Sequence, residues 1–223
     1  MSEYFFWNKK TISNFEITEI NKSFDAGYLF TREHKGSMYQ TRALRLNLEH
    51  FELSSENRRV LNKIQDLKME PKSLPLGNDS YDWKIHKLGK DFYKNKLHLE
   101  KLFSANKIKE LILNQDNSNF NLLMQYSINS NVFGYAICYE NIVNLQYAYP
   151  FYDYINYPSN YGMGMMLKAI NYAQDKALRY IYLGSVTRRE DAYKLQFKGL
   201  EWFDKDVWHH EKLYELKQIL MSK

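Results

Sequence analysis

Proline, glycine and cysteine are all scarce in this chain, whose 223 residues include four prolines, nine glycines and one cysteine. The single cysteine, Cys138, excludes an internal disulfide framework and any metal site built from several cysteines. The low proline and glycine content excludes collagen-like classes, and 44% hydrophobic residues exclude a disordered chain. No apolar run approaches the ~20 residues of a membrane helix, and the N-terminus lacks a signal-peptide layout. We therefore expect a soluble, cytoplasmic protein of one mixed domain or two small ones.

Aromatic residues and positive charge are the features in excess. Aromatic side chains make up 16% of the chain, with 19 tyrosines, and the formal net charge is +5. Residues 81–110 alone hold eight lysines and four acidic residues. Lysines that neutralise phosphates, interleaved with aromatics that stack on unpaired bases, are typical of an RNA-binding surface. A lysine-rich helix is also an ordinary solvated surface, so the composition leaves both interpretations open.

Residues 71–80 are the stretch richest in turn signals, with two prolines and a Gly-Asn-Asp sequence. They predict a loop or linker. This divides the chain into an N-terminal region, 1–70, and a larger domain, 81–223. In the N-terminal region, alternating apolar residues and a start signal at Ser54 predict a β-hairpin and a following helix: strands at 27–32 and 39–48, and a helix from about residue 54.

The larger domain shows helical periodicity first, then strands, then an alternation of the two. Two helices are expected within 81–110, the second beginning near Ser104. The remaining elements follow in this order: strands at 120–128, 131–140 and 142–151, a helix at 162–177, a strand at 179–184, a short helix at 189–197, a strand at 199–207 and a helix at 210–221. Tight turns make the first three strands an antiparallel meander, whereas a helix returning the chain implies a parallel crossover. The predicted class is α+β, with the mixed sheet of the acetyltransferase-like (GNAT) fold.

The start of the 162–177 helix is a candidate anion site. Gly162 and Gly164 let the backbone approach a ligand, and the first free N–H groups of a helix point at it. These glycines also suit a tight turn that has no ligand. Ser159 stands where many acetyl-CoA binders carry Gln or Arg.

An aromatic cluster at residues 149–154 contains the candidate base, Asp153. Such a patch can hold a ribose, a base or a peptide while the carboxylate binds an amine or removes its proton. The alternative is a set of core aromatics with an Asp that caps a turn. Lys194 is interpreted either as a lysine that binds a phosphate or as a lysine on a solvated helix face. The six histidines show no metal-ligand spacing, and Cys138 is expected to be a small buried hydrophobe.

Several segments, in order, resemble the arginyl-tRNA–protein transferase family. Residues 39–60 resemble the end of its N-terminal domain, with an Arg-led strand and an Arg-Arg helix. Tyr152-Asp153 is similar to its Tyr-Asp pair, and Tyr161-Gly162 to its Leu-Gly turn. Residues 180–184 resemble its signature strand, and residues 193–201 its Tyr-Lys-x-x-Phe-x-Pro-x-Glu segment, with Gly199 at the usual proline.

The resemblance implies an acyltransferase of GNAT-like fold that moves Arg or Leu from aminoacyl-tRNA to the N-terminal amine of an acceptor protein, marking it for degradation. It implies no separate cofactor. The implied catalytic residues are Asp153, Tyr152 and Lys194. The implied substrate-binding residues contact the aminoacyl ester and the tRNA: Tyr161, Gly162, Gly164, Tyr182, Tyr193, Arg42, Arg58 and Arg59. The family's cysteine cluster is missing from residues 37–42, so no metal is expected.

Two other functions fit the same residues. An acetyl-CoA-dependent N-acetyltransferase would hold the pyrophosphate of acetyl-CoA at the Gly162–Gly164 turn. A non-catalytic relative would bind RNA or a peptide N-terminus without chemistry, and would tolerate replacement of Asp153 and Lys194.

Overall fold

The computed structural model describes residues 5–97, 103–157, 160–210 and 213–221. Ser159, named above for its place before the glycine turn, lies outside these residues. The helices are, in chain order, α1 (Ile17–Asp25), α2 (Ser55–Lys63), α3 (Trp83–Asn95), α4 (Ala105–Leu113), α5 (Asn160–Asp175) and α6 (Leu213–Met221), with short 3₁₀ segments at Asn78–Ser80 and Arg189–Gln196.

The strands form two sheets. They are, in chain order, β1 (Asn8–Thr11), β2 (Tyr28–Phe30), β3 (Ser37–Gln40), β4 (Ala43–Asn47), β5 (Leu67–Ser73), β6 (Leu122–Ile128), β7 (Asn131–Glu140), β8 (Asn144–Tyr152), β9 (Tyr180–Ser185), β10 (Leu200–Asp204) and β11 (Val207–His209). The small sheet has the order β1-β3-β2, and the larger sheet has the order β11-β10-β4-β9-β8-β7-β6-β5. The larger sheet is mixed and helices flank it, so the predicted α+β class is confirmed.

The chain divides into two compact units. Unit 1 consists of residues 1–54, 141–146 and 173–223, and unit 2 consists of residues 55–140 and 147–172. The predicted division into 1–70, 71–80 and 81–223 stays a prediction. The loop expected at 71–80 is wrong at its start, because β5 continues to Ser73. Pro71 is accommodated there because β5 is an edge strand of the sheet.

In unit 1, the strand predicted at 39–48 is two strands in different sheets. β3 pairs with β2, as the predicted hairpin requires, and also with β1. The chain then turns at Thr41, whose carbonyl accepts a hydrogen bond from Ala43 N at 2.6 Å, and β4 pairs with β9 and β10. The alternation of side chains runs through the turn, and for that reason the sequence pattern shows no break.

The last predicted strand of unit 1, at 199–207, is also divided. β10 and β11 form a hairpin, in which Lys205 adopts a left-handed conformation with φ of 57°. Phe203 of this hairpin packs against Gly27, which has φ of 75° and leaves no room for a side chain. Gly27 therefore allows the backbone turn between α1 and β2 and leaves the space that the Phe203 ring occupies.

The predicted crossover is present, and the first pair of the predicted meander is antiparallel as expected. β6 pairs with β7 in antiparallel fashion, and β8 lies next to β7 in the sheet. Helix α5 then links β8 to β9, and these strands pair in parallel from Asn144–Tyr180 to Gln146–Tyr182. Among the described residues, this pairing ends at Gln146 and Tyr182, although β8 continues to Tyr152 and β9 to Ser185.

In unit 2, the two predicted basic helices are α3 and α4. Asp82 caps α3 by accepting a hydrogen bond from Lys84 N at 2.9 Å. Ser104 caps α4 in the same way, from Lys107 N at 3.2 Å. Among the described helices, none combines the length and apolar character needed to cross a membrane.

Candidate functional site

The glycines at the start of α5 are explained by packing inside unit 2. A Cβ on Gly162 would lie 2.6 Å from the hydroxyl oxygen of Tyr152, and a Cβ on Gly164 would collide with the Ile64 side chain. Both glycines therefore allow α5 to approach its neighbours closely. As in any helix, the backbone N–H groups of the first turn have no acceptor within the helix. The predicted anion-binding role of this turn stays a prediction.

Tyr161, which precedes these glycines, makes a hydrogen bond that the sequence did not indicate. Its hydroxyl group contacts both carboxylate oxygens of Asp66, at 2.9 and 3.1 Å. Burial raises the pKa of the Tyr161 hydroxyl, and the neighbouring Asp66 carboxylate raises it further. The tyrosine therefore keeps its proton and donates a hydrogen bond to Asp66, which fixes the first turn of α5 on the turn that follows α2.

Asp153 lies in a turn that its own carboxylate holds in place. One oxygen accepts from Asn156 N at 3.2 Å and from Ile155 N at 3.3 Å, and the other accepts from Asn156 Nδ2 at 2.7 Å. This arrangement favours a structural role, while the half-buried carboxylate keeps lone pairs for an amine. Its neighbour Tyr152 packs against Phe133, with the ring centroids 5.2 Å apart.

Lys194, in unit 1, is held at the carboxyl end of β9. Its Nζ donates to the carbonyl of Ser185 at 3.0 Å and lies 3.6 Å from a carboxylate oxygen of Asp191. The other oxygen of Asp191 accepts from Thr187 N and Arg188 N, each at 3.1 Å, and so caps the 3₁₀ segment. The ammonium group is therefore positioned by its neighbours, unlike a lysine on a solvated helix face.

Tyr182 lies in the interior of unit 1. Its ring packs against Phe24 with centroids 4.8 Å apart, and its hydroxyl accepts a hydrogen bond from Arg45 Nη1 at 3.4 Å. Burial raises the pKa of Tyr182 well above its usual value, despite the opposing charge of Arg45. A fully buried, neutral tyrosine favours a structural role over the predicted contact with an aminoacyl group.

Arg45 is the centre of a buried ionic cluster that the sequence did not indicate as important. Its Nε donates to Glu201 at 2.6 Å, and its Nη1 donates to Asp25 at 3.1 Å. The guanidinium lies between the rings of Tyr180 and Trp208, each centroid 4.0 Å away. The only sequence signal was a charged residue in a strand otherwise rich in leucine.

Arg42, three positions earlier, has a different environment. Its side chain stacks on Phe5 and Trp7, with 4.8 and 5.8 Å from the guanidinium carbon to the ring centroids. Burial lowers the pKa of Arg42, and the charge of Asp204 partly offsets this effect. Nε and Nη1 are buried, and neither has a hydrogen-bond partner within the described part of the chain.

The remaining predicted substrate-binding residues lie at the surface. Arg59 is half exposed on α2 and pairs with Glu56 one turn earlier, and Arg58 next to it is also exposed. Tyr193 is 47% exposed on the 3₁₀ segment, next to Lys194. All three are accessible to a large ligand, and their predicted role stays a prediction.

Helix α3 presents a basic stripe, which we define as Trp83, Lys87, Lys90 and Lys94. All four are exposed, and they project from the side opposite Ile85 and Phe92, which are buried. Lys87 Nζ lies 5.8 Å from the centre of the Trp83 ring, which is 55% exposed. An exposed indole with lysines along one helix face is suited to a polyanion that also offers flat rings.

The described residues provide no group of three or more His, Cys, Asp or Glu side chains that could hold a metal ion. Cys138 is fully buried, and burial raises the pKa of its thiol well above the usual range. A thiol that keeps its proton is a poor nucleophile, so the interpretation of Cys138 as a buried hydrophobe is confirmed.

Comparisons with known proteins give relatives in structure only. No protein-family model and no curated protein matches this chain. The C-terminal domain of a candidate lysylphosphatidylglycerol synthetase from Agrobacterium fabrum is similar over 90% of this chain and 58% of its own, with 14% identity and a TM-score of 0.50. L-PGS from Bacillus licheniformis is similar over 92% and 70%, with 9% identity and a TM-score of 0.49.

A third similar structure is the glucosamine N-acetyltransferase region of a fungal multi-domain β-N-acetylglucosaminidase. It is similar over 86% of this chain and 22% of its own, with 9% identity and a TM-score of 0.46. The chain thus spans less than two thirds of the Agrobacterium and fungal structures. At these identities the likeness shows the fold alone, and it agrees with the mixed sheet described above.

Proposed function

We propose that this protein is an aminoacyltransferase that moves Arg or Leu from aminoacyl-tRNA to the N-terminal amine of an acceptor protein. In this reaction the amine attacks the ester carbonyl, an amide bond forms, the ester bond breaks, and the tRNA hydroxyl leaves with the proton. The observation that carries the proposal is the parallel β8–β9 pair, joined by α5, whose register ends at Gln146 and Tyr182. The resemblance to the transferase family implies that the aminoacyl ester binds at this end of the paired segment, near Tyr182.

The basic stripe on α3 supports a tRNA donor. Its lysines rise along one face of the helix over about 10 Å, at 1.5 Å per residue. Three positive charges over that length suit consecutive phosphates of a nucleic acid, and the exposed indole of Trp83 can stack on an unpaired base.

The name of the Agrobacterium neighbour also supports an aminoacyl donor. Lysylphosphatidylglycerol, the product named there, carries a lysyl group, which is an aminoacyl group. We transfer only the donor class to this chain. The acceptor in our proposal follows from the resemblance to the protein transferases.

A transfer assay tests the proposal. Purified protein is mixed with tRNA charged with labelled Arg, Leu or Lys, and with peptides that begin with acidic or basic residues. Parallel reactions contain labelled acetyl-CoA, or phosphatidylglycerol vesicles as acceptor. Label that moves from tRNA to a peptide supports the proposal and names the amino acid. Label that moves only from acetyl-CoA supports N-acetyl transfer, and binding of tRNA or peptide without transfer supports a non-catalytic module.

Two variants of Asp153 separate its proposed role as a base from its role in the turn. Asp153→Asn keeps the oxygen that accepts from the backbone of the turn but removes the base, whereas Asp153→Ala removes both. A general base contributes about 10²–10⁴ in rate, so both variants should lose at least a hundredfold in transfer. A fall of less than tenfold in Asp153→Ala, or near-normal transfer by Asp153→Asn, would leave Asp153 as a turn residue.

The tRNA contact of α3 is tested through salt dependence. The double variant Lys87→Gln/Lys90→Gln should weaken tRNA binding and reduce the slope of log affinity against log salt by about 1.4, at about 0.7 per phosphate contact. Lys68→Gln, an exposed lysine on β5 of the same unit, is the control and should leave the slope unchanged. Equal slopes for the double variant and the control would exclude the stripe from the interface.

A further inference from the structure

Two tyrosines and a carboxylate of unit 2 form a half-exposed surface in front of a buried ring. Phe133 is fully buried, and the rings of Tyr157 and Tyr161 pack against it, with centroids 4.9 and 5.5 Å away. The two tyrosine rings are 5.7 Å apart and inclined at 69° to each other. Asp66 accepts a hydrogen bond from the Tyr161 hydroxyl at 2.9 Å. Both tyrosines and Asp66 are half-buried, so a ligand in solution can reach all three.

Backbone contacts hold these side chains in place. Asp153 N donates to the carbonyl of Phe133 at 2.9 Å, and the Asp153 carboxylate accepts from two N–H groups further along its own turn. This turn brings Tyr157 onto the Phe133 ring. Tyr161 lies in the first turn of α5, where its hydrogen bond to Asp66 fixes it. The rings and the carboxylate are therefore ordered before a ligand arrives, which lowers the entropy cost of binding.

This surface combines a negative charge with aromatic rings, but it has no cation from the described part of the chain. No described Lys, Arg or His forms an ion pair with Asp66, and none of their cations lies over the ring of Tyr157 or Tyr161. The hydroxyl of Tyr161 is neutral, so its hydrogen bond leaves the charge of Asp66 uncompensated. Tyr154 of the same unit differs, because Lys96 Nζ lies 5.2 Å from the centre of its ring.

Arg45, in unit 1, shows which groups this protein uses to hold a guanidinium. Its partners are of three kinds: carboxylates, a tyrosine hydroxyl and aromatic rings. Asp66 offers the carboxylate, and Tyr161 offers a hydroxyl that keeps a lone pair while it donates. Tyr157 adds a half-exposed ring. The surface on unit 2 therefore presents the same three kinds of partner without the cation.

We propose that Asp66, Tyr157 and Tyr161 bind one organic cation, a guanidinium or a primary ammonium group. The N–H donors of the cation bind the remaining lone pairs of the carboxylate, and the tyrosine rings attract its charge. An arginine side chain would supply the guanidinium, and a lysine or an N-terminal amine would supply the ammonium. The site goes beyond the proposed transfer reaction and does not depend on it, since it rests on contacts within unit 2.

The test is cation binding by the whole protein at constant ionic strength and neutral pH. Butylguanidine and butylamine, both protonated, are titrated in turn against sodium chloride, with heat of binding and thermal unfolding as measurements. N-Butylurea is the neutral probe with the shape of butylguanidine, and it should not bind. At ten times the dissociation constant, a cation should raise Tm by about 3–6 °C relative to the Asp66→Asn variant at the same concentration. Tighter binding of butylguanidine would identify an arginine as the source, and tighter binding of butylamine would identify an amine.

Three variants locate the site. Asp66→Asn keeps an oxygen for the Tyr161 hydroxyl but removes the charge, so it should weaken binding about tenfold or more. Tyr157→Leu removes one ring and should weaken binding about two- to fivefold, as expected for a cation–π contact near the surface. Asp91→Asn is the matched control and should bind as wild type does, since Asp91 is also a half-buried carboxylate of unit 2.

Three results would overturn the proposal. The first is a wild-type protein that binds neither cation. The second is equal binding of butylurea and butylguanidine, which would show that charge plays no part. The third is binding that Asp66→Asn retains, which would place the cation elsewhere. The transfer assay is separate from these measurements, so failure of the proposed function and failure of the cation site can be told apart.

Discussion

Arg45 has two carboxylate partners that differ in burial, and this contrast gives a sharp prediction about stability. Glu201 is 2% exposed and accepts from Nε at 2.6 Å, whereas the side chain of Asp25 is 66% exposed and accepts from Nη1 at 3.1 Å. The two neutral variants, Glu201→Gln and Asp25→Asn, remove one charge each from the same arginine. We expect the first to cost far more stability than the second.

The magnitude follows from the solvent around each pair. Removing one partner of a buried ion pair costs about 3–5 kcal/mol, because the other charge stays buried and uncompensated. Glutamine still offers one oxygen to Arg45, so we expect the lower limit, about 3 kcal/mol, for Glu201→Gln. The exposed pair contributes only about 0–1 kcal/mol, because water solvates both charges. A loss of about 3 kcal/mol corresponds to a fall in Tm of about 6–12 °C for a chain of this size.

Urea unfolding followed by tryptophan fluorescence measures both variants. Three of the four tryptophans lie in unit 1, so the signal reports mainly on the unit that contains Arg45. The unfolding midpoint and slope are compared with wild type, and far-UV circular dichroism checks that both probes report one transition. Equal losses for Glu201→Gln and Asp25→Asn would refute the reasoning, since burial would then not determine the contribution of a carboxylate.

Three further predictions concern unit 2. Gly134→Ala places a Cβ 2.7 Å from the carbonyl oxygen of Phe151 and should cost about 1–3 kcal/mol in urea unfolding. Gly77→Ala is the control for this variant: with nothing within 4 Å, it should change stability by less than about 0.5 kcal/mol. Burial raises the pKa of Tyr135 to about 12, so only the unfolded chain loses this proton above about pH 10. Stability therefore falls as pH rises through that window, and Tyr135→Phe should reduce the slope by up to about 1.4 kcal/mol per pH unit; an unchanged slope would contradict this. The Cys138 thiol should react with a thiol reagent only after unfolding, and rapid labelling of the folded protein would be the contrary result.

The features of the fold that the sequence predicts are those determined by local signals. The meander follows from two tight turns between apolar runs, and the crossover follows from a helix long enough to return the chain. Helix α1 was missed although its apolar residues Ile17, Ile20 and Phe24 follow helical spacing. The turn at Thr41 could not be seen, because pairing of β3 and β4 with different sheets is a tertiary choice that leaves the alternation of side chains intact.

The candidate site was less predictable than the fold, because burial determines what a polar residue does. Tyr182 and Lys194 both follow from a family pattern, yet one is in the interior and the other is held at the end of β9. Asp66, which fixes Tyr161, carries no sequence signal of its own, since it lies 95 residues from its partner. Local patterns cannot indicate partners at that separation.

The pair Arg42 and Arg45 shows most clearly what the three-dimensional contacts add. In the sequence both are arginines in one apolar segment, and both are 7% exposed in the structure. Arg45 is neutralised by residues 20 and 156 positions away, whereas the described contacts of Arg42 are aromatic. The charge of Asp204 acts on Arg42 without a hydrogen bond to its buried Nε or Nη1 among the described residues. Two arginines with the same burial in one apolar segment therefore have different electrostatic environments, because the partners of each are set by tertiary contacts and not by the local pattern.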